Sequence, residues 1–234
     1  MKKVLVSDYD RTFYLDDIDI EKNKKVLKEF MDLGNIFILA TGRSFFDFRK
    51  VVTKYNISYN FAIINHGATI LDSHNEILYE SYISNDIIND LILDLNLEKT
   101  VNNFLCSRLE SRVSIDHKDI TKINVQYLDE ETAKLINDKI NEKYSNYINT
   151  YIIGPTKIEI VSKDSSKLQA IMFLEKKNNF NKKNIYTIGD GNSDIEMINY
   201  YNGYCMKNSV DNLKKSSKNV YDSVSTLIEY ILSN

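Results

Sequence analysis

Four apolar stretches without polar alternation constrain the fold of this chain more than any other feature: residues 4–7, 36–40, 61–64 and 184–188. A strand with one solvated face alternates, whereas a strand covered on both faces reads as an unbroken apolar run. Between the runs the spacing turns helical. Residues 20–33 place Ile20, Val26, Leu27, Phe30, Met31 and Leu33 on one stripe, closed by Gly34, and 45–55, 166–176, 195–200 and 224–232 also predict helices. Strand and helix in alternation predict an α/β fold: a Rossmann-like, doubly wound parallel sheet with helices on both faces.

The alternation breaks once. Residues 68–71 and 76–80 flank Asp72-Ser73-His74-Asn75, a hairpin signal, and the character then changes. Residues 83–95 and 130–144 read as helices, 122–128 as a strand, and 147–153 and 157–161 as β-rich runs around Gly154-Pro155. Beyond 166 the first pattern resumes, with short strands expected at 203–206 and 219–221. The expected organisation is a discontinuous core, 1–81 plus 156–234, interrupted by an α+β insert at 82–155.

Of the 234 residues, 43% are apolar and 27% charged, enough for a substantial core. The net charge of −3 supplies no basic field for nucleic acid or an anionic membrane. The amino terminus turns acidic too soon for a signal peptide, and no apolar run has the length of a membrane span, so a cytoplasmic protein is expected. Cys106 and Cys205 lack metal spacing and read as reduced core residues, and His66, His74 and His117 form no ligand pattern.

The chemistry gathers at strand ends. Asp8 and Asp10 follow the first apolar run directly, and two carboxylates in one crevice repel unless a cation lies between them. An acidic surface loop, or the metal-binding pair of a sugar-nucleotide glycosyltransferase, reads the same way. A second cluster follows the run at 184–188: Gly189-Asp190-Gly191-Asn192-Ser193-Asp194, where the glycines allow a sharp turn. Taken singly, Asp194 is a candidate cap for the following helix. Two such ends in one parallel sheet can meet around a hard cation. Thr41-Gly42-Arg43 after the second run offers a hydroxyl and backbone amides to phosphate oxygens, and Lys167 opens the helix after the insert.

Asp8-Tyr9-Asp10-Arg11-Thr12, Thr41, Lys167 and Gly189-Asp190 through Asp194 resemble, in order, the four motifs of haloacid dehalogenase-like phosphatases. Asn65-His66-Gly67-Ala68 and Lys207-Asn208-Ser209 resemble elements of the Cof-type branch, which carries a large α/β cap. The resemblance spans the chain. It implies a phosphatase acting on a small phosphorylated metabolite, such as a sugar phosphate, with Mg²⁺ as cofactor and the insert as a substrate-selecting cap. Asp8 would be the nucleophile, Asp10 the general acid and base, and Lys167 a catalytic cation. Asp8, the carbonyl of Asp10, Asp190 and Asp194 would hold the metal. Thr41, Gly42, Arg43, Lys167, Asn65 and Asn208 would bind phosphate or substrate.

Three positions depart from the family pattern. Arg11 stands where glycine is commonest, Ser193 replaces asparagine, and His66 widens the Asn-Gly-Ala element. His66 reads as a substrate contact or a loop histidine with only a structural or solvent-facing role, and the latter is expected. A phosphomutase of the same family would keep every catalytic residue, and a non-catalytic phosphate-binding relative would tolerate the departures at Arg11 and Ser193. No motif names the substrate or an oligomeric state.

Overall fold

The computed structural model describes residues 2–114 and 117–233. The chain opens with β1 (Val4–Asp8), α1 (Asp17–Asp32), β2 (Ile36–Ala40), α2 (Phe45–Tyr55) and β3 (Phe61–Ile64), followed by the hairpin β4 (Thr69–Asp72) and β5 (Ile77–Glu80). A second group follows: α3 (Asn85–Asp94), β6 (Thr100–Ser107), β7 (Glu110–Val113), β8 (Ile120–Tyr127), α4 (Glu130–Tyr144), β9 (Ile148–Ile152) and β10 (Lys157–Ser162). The last group is α5 (Lys167–Asn178), β11 (Ile185–Gly189), α6 (Ile195–Tyr200), β12 (Asn202–Met206), α7 (Asp211–Ser216), β13 (Val220–Tyr221) and α8 (Val224–Ser233).

Eight strands form one sheet in the order β13-β12-β11-β1-β2-β3-β4-β5, parallel from β13 to β3 and closed by the antiparallel hairpin. The unbroken apolar runs have a direct cause. Leu5, Phe37 and Leu39 point to one face, against Ile20, Leu27 and Phe30 of α1 and Leu227 of α8. Val4, Val6, Ile38 and Ala40 point to the other, against Ala170, Ile171 and Leu174 of α5. The chain winds outward in both directions from the β1/β11 pair, the topological switch point at which such sheets bind ligands. Ser7 pairs with Ile188 and Asp8 with Ala40, so the carboxyl ends of β1, β2 and β11 emerge side by side.

The second sheet is antiparallel, in the order β7-β6-β8-β10-β9. Ile123, Val125, Ile158 and Ile160 on one face pack with Ile88 and Leu91 of α3 and Ile136 and Ile140 of α4. The other face carries a cross-strand row, with Phe104 opposite Asn124, Asn124 opposite Glu159, and Glu159 opposite Tyr151. Directly opposed residues share a face.

The expected boundary at 155/156 falls in the turn between two paired strands of the second sheet. Gly154-Pro155 turns the chain between β9 and β10, with Gly154 at φ 70°, and β10 pairs with both β8 and β9. The chain rejoins the first layer only after Ser162. Strands β6 and β7 and helix α7 had no sequence signal. The first half of β6 is polar and largely exposed, and β7 is a four-residue edge strand without a covered face. Helix α1 begins three residues before the apolar stripe because the Asp16 carboxylate accepts from the amides of Ile18 and Asp19. Among the described residues no helix is long and apolar enough to cross a membrane.

Candidate active site

Asp8 is the last residue of β1, and the chain folds back immediately after it. The Phe13 amide donates to the Asp8 carbonyl at 3.1 Å and the Tyr14 amide to the Tyr9 carbonyl at 2.9 Å, burying Phe13 and leaving Asp10 and Arg11 at the rim. Arg11 adopts φ 62°, in the left-handed region that glycine enters without steric cost. This is the strain implied by an arginine at that position of the motif.

The β11 end turns as sharply. A Cβ on Gly189 would lie 2.4 Å from Asp194 Cγ, so only glycine lets the Asp194 carboxylate fold under its own turn. There Asp194 Oδ2 accepts from the amides of Asp190 at 3.1 Å and Gly191 at 3.0 Å. Asp194 therefore closes the 189–191 turn and makes no side-chain cap for α6. Lys167 is the first residue of α5, whose N-cap Ser166 accepts from the Gln169 amide. A cation is unfavourable at a helix amino terminus. Here Lys167 Nζ is compensated by Asp8 Oδ1 at 2.5 Å and Asp194 Oδ1 at 2.6 Å.

Asp8, Asp190 and Asp194 are buried, and each offers an oxygen within 4.8 Å of the others. Burial holds the Asp8 carboxyl well above its ordinary range, with Lys167 opposing the shift. Asp190 is pushed up to about 6 by burial and by Asp194. Burial works against a charged Lys167, but Asp194 and Asp8 outweigh it and raise its pKa. Three buried carboxylates face one buried ammonium, and Arg11 adds only a solvent-exposed contact at 3.4 Å to Asp190. An all-oxygen donor set with surplus negative charge fits a hard divalent cation.

The remaining predicted residues divide into two groups. Asp10, Gly42 and Arg43 line the same cleft, of about 1040 Å³, as Asp8, Lys167 and the 190–194 turn. The Arg43 guanidinium forks onto Asp10, with Nε to Oδ2 at 2.9 Å and Nη2 to Oδ1 at 2.7 Å. Thr41, Asn65 and Asn208 lie outside the cleft lining. The Thr41 hydroxyl accepts from the Arg43 amide, buried Asn65 donates to Thr121 Oγ1, and exposed Asn208 ties its amide to the Arg11 carbonyl. These three hold the loops that carry the lining residues.

The opposite wall was not anticipated. It comes from the polar row of the second sheet, with Lys122, Glu159, Tyr151 and Phe104 facing the cleft. His66, from the first layer, packs against this wall and does not face open solvent. It is 2% exposed, its ring stacks on Tyr151 at 4.2 Å, and its Nε2 lies 2.6 Å from Glu159 Oε2. Burial lowers the His66 pKa, so the neutral ring donates its Nε2 proton to Glu159. Burial alone would raise Glu159, but Lys122 and the His66 bond reverse this and hold it anionic, well below its ordinary value. A sequence signal exists in hindsight: Lys122, Asn124 and Glu159 interrupt apolar strands at alternate positions.

The family model for haloacid dehalogenase-like hydrolases matches residues 5–118 and 99–226. The chain belongs to that family, in the phosphatase branch that its motifs resemble. It is 25% identical to the 5-amino-6-(5-phospho-D-ribitylamino)uracil phosphatase of Bacillus subtilis, over 94% of this chain and 90% of the relative. A haloacid dehalogenase-like hydrolase from Bacteroides thetaiotaomicron shares the fold with a TM-score of 0.82, covering 99% of this chain and 100% of that one at 18% identity. A Thermotoga maritima protein does so with a TM-score of 0.81, covering 98% and 97% at 21% identity.

Proposed function

We propose that this enzyme hydrolyses a small phosphomonoester, of the sugar-phosphate kind, through a phospho-aspartate on Asp8 with Mg²⁺ as cofactor. The observation that carries the reading is the buried bridge of Lys167 Nζ between Asp8 and Asp194, beside Asp190. An ammonium there neutralises an incoming phosphoryl group while holding the nucleophile in line.

An Asp8 carboxylate oxygen attacks phosphorus, the bond to the leaving oxygen breaks, and Asp10 gives that oxygen a proton. Asp10 then takes a proton from the water that attacks the phospho-aspartate, releasing phosphate and restoring Asp8. Arg43 orients Asp10 through both oxygens, each of which keeps a further lone pair. Asp8, the Asp10 carbonyl and Asp190 would hold Mg²⁺, which supplies charge neutralisation for the phosphoryl oxygens when bound. Both Asp194 oxygens are already engaged, which supports a role in holding Lys167 and the 189–191 turn. The second sheet and its helices, 82–162, form the cap that reads the leaving group. The substrate named for the Bacillus relative is likewise a phosphomonoester.

Turnover of an aryl phosphate with Mg²⁺ tests the reading. Asp8→Asn should abolish it, and Asp10→Asn should slow it severely and trap phospho-enzyme. Wild-type rates from Asp8→Asn would end the covalent mechanism. Release of an isomeric hexose phosphate in place of inorganic phosphate would make the enzyme a mutase.

A further inference from the structure

Residues 41–43 form the loop between β2 and α2, and all three of their carbonyls are bonded. The His66 amide donates to the Thr41 carbonyl at 3.2 Å, and the Asn65 amide donates to the Arg43 carbonyl at 2.9 Å. Both donors belong to the first layer. The middle carbonyl, of Gly42, is different: it accepts from Lys122 Nζ at 2.6 Å, and Lys122 sits on β8 of the second sheet. That ammonium is 2% exposed and has one buried counter-charge, Glu159 of β10, at 3.2 Å. Glu159 also accepts from Asn124 at 2.6 Å and forms an ion pair with the half-exposed Lys157 ammonium at 3.2 Å.

The same carboxylate reaches Gly42 by a second path. Glu159 holds the His66 ring, and a Cβ on residue 42 would lie 2.3 Å from His66 Cε1. The second sheet thus grips one glycine at its carbonyl through Lys122 and at its α-carbon through His66. The next residue is Arg43, whose guanidinium fork fixes Asp10.

We propose that Lys122 is a positioning residue: anchored on Glu159, it sets the 41–43 loop from the second sheet and thereby the Arg43 fork and Asp10. The link to turnover rests on the role of Asp10 proposed above. A carboxylate that must meet both a leaving oxygen and a water tolerates little displacement, since misplacement by about 1 Å can cost roughly 10²-fold in rate. The coupling also gives the state of the cap a route to the chemistry that involves no substrate contact, so it should act on substrates too small to touch the cap.

The experiment compares the full-length wild type with Lys122→Met, Glu159→Gln and the double variant. Three quantities are measured: amide exchange at Asn65 and His66, thermal stability, and kcat and KM on an aryl phosphate with Mg²⁺. Lys122→Met should speed exchange at both amides and lower kcat by at least ~10-fold with a smaller change in KM. Glu159→Gln, which keeps the shape and one acceptor oxygen, should move the same readings less. In the double variant no buried charge is left without its partner, so stability should recover toward wild type while fast exchange and low kcat persist. Unchanged exchange at Asn65 and His66 in a folded Lys122→Met or double variant would overturn the proposal, as would kcat recovering together with stability. A wild type without phosphatase turnover would instead refute the function proposed above, and amide exchange would still decide whether Lys122 sets the loop.

Discussion

Lys167 Nζ stands 2.5 Å from Asp8 Oδ1, in a site where both residues are all but sealed from water. The two positions are 159 residues apart in sequence, and Lys167, shared with Asp194, is the buried cation that offsets the Asp8 charge. Replacing Lys167 by methionine keeps most of the stem and removes the charge. We expect a loss of roughly 10²-fold or more in kcat, the scale of one preorganised electrostatic group. In metal-free protein the orphaned carboxylates should also lower stability by about 3–5 kcal/mol. Steady-state kinetics and denaturant unfolding check both, and an unchanged rate would reduce Lys167 to a structural counter-ion.

Gly189→Ala tests the turn beneath that pair. The new methyl would meet Asp194 at 2.4 Å and must push its carboxylate off the 190 and 191 amides. Overpacking of this kind costs about 1–3 kcal/mol. Activity should fall with it, because Asp194 is the second support of Lys167. A variant that melts like the wild type and turns over normally would show that the turn adapts without Asp194.

The His66–Glu159 pair predicts how stability responds to acid. The folded state keeps His66 neutral below its ordinary value of 6.5, so as pH falls the unfolded chain takes up this proton first. More protons bound to the unfolded state means stability falls as pH drops. Glu159, held well below 4.5, adds a second loss in the same direction at lower pH. Unfolding free energies near pH 7.5 and pH 5.5 should differ less in His66→Gln, which can still donate to Glu159, than in the wild type. Equal differences would mean that folding leaves the His66 titration unshifted, and a larger difference in His66→Gln would mean that His66 carries its proton in the folded protein.

Asn137 of α4 offers a probe of selectivity by the cap. It lines the cleft, and its Oδ1 is buried without a hydrogen-bond partner. If that oxygen receives a donor from the leaving group, Asn137→Ala should lower kcat/KM on the preferred metabolite by about 3- to 10-fold, the scale of one hydrogen bond. An aryl phosphate should be unaffected. Equal losses on both substrates would place Asn137 outside the leaving-group contacts.

Much of this protein is written locally. The runs at Val4–Asp8 and Ile185–Gly189 declare themselves as two-faced strands because both of their faces are apolar, and the acids that end them mark the crevice. Gly189 and Gly191 follow from turn chemistry, and Lys167, which helix-start chemistry disfavours, stands out by its place in the order of motifs, so the residues that meet around it could be named from the sequence. The wall opposite them could not. Lys122, Asn124 and Glu159 lie at alternate positions of strands whose other face is apolar, a pattern that describes a solvated sheet face equally well. Packing of that face against the 41–43 and 65–66 loops is what turns its charges inward, desolvates them and pairs them with each other, with His66 and with the Gly42 carbonyl. The end of the second sheet was undecidable for a related reason: Gly154-Pro155 marks a turn, but only strand pairing across it shows that β10 stays in that sheet. Local sequence determines which residues can begin, end or cap an element. Which faces lose their water, and therefore which charges must find partners, is decided by the tertiary structure.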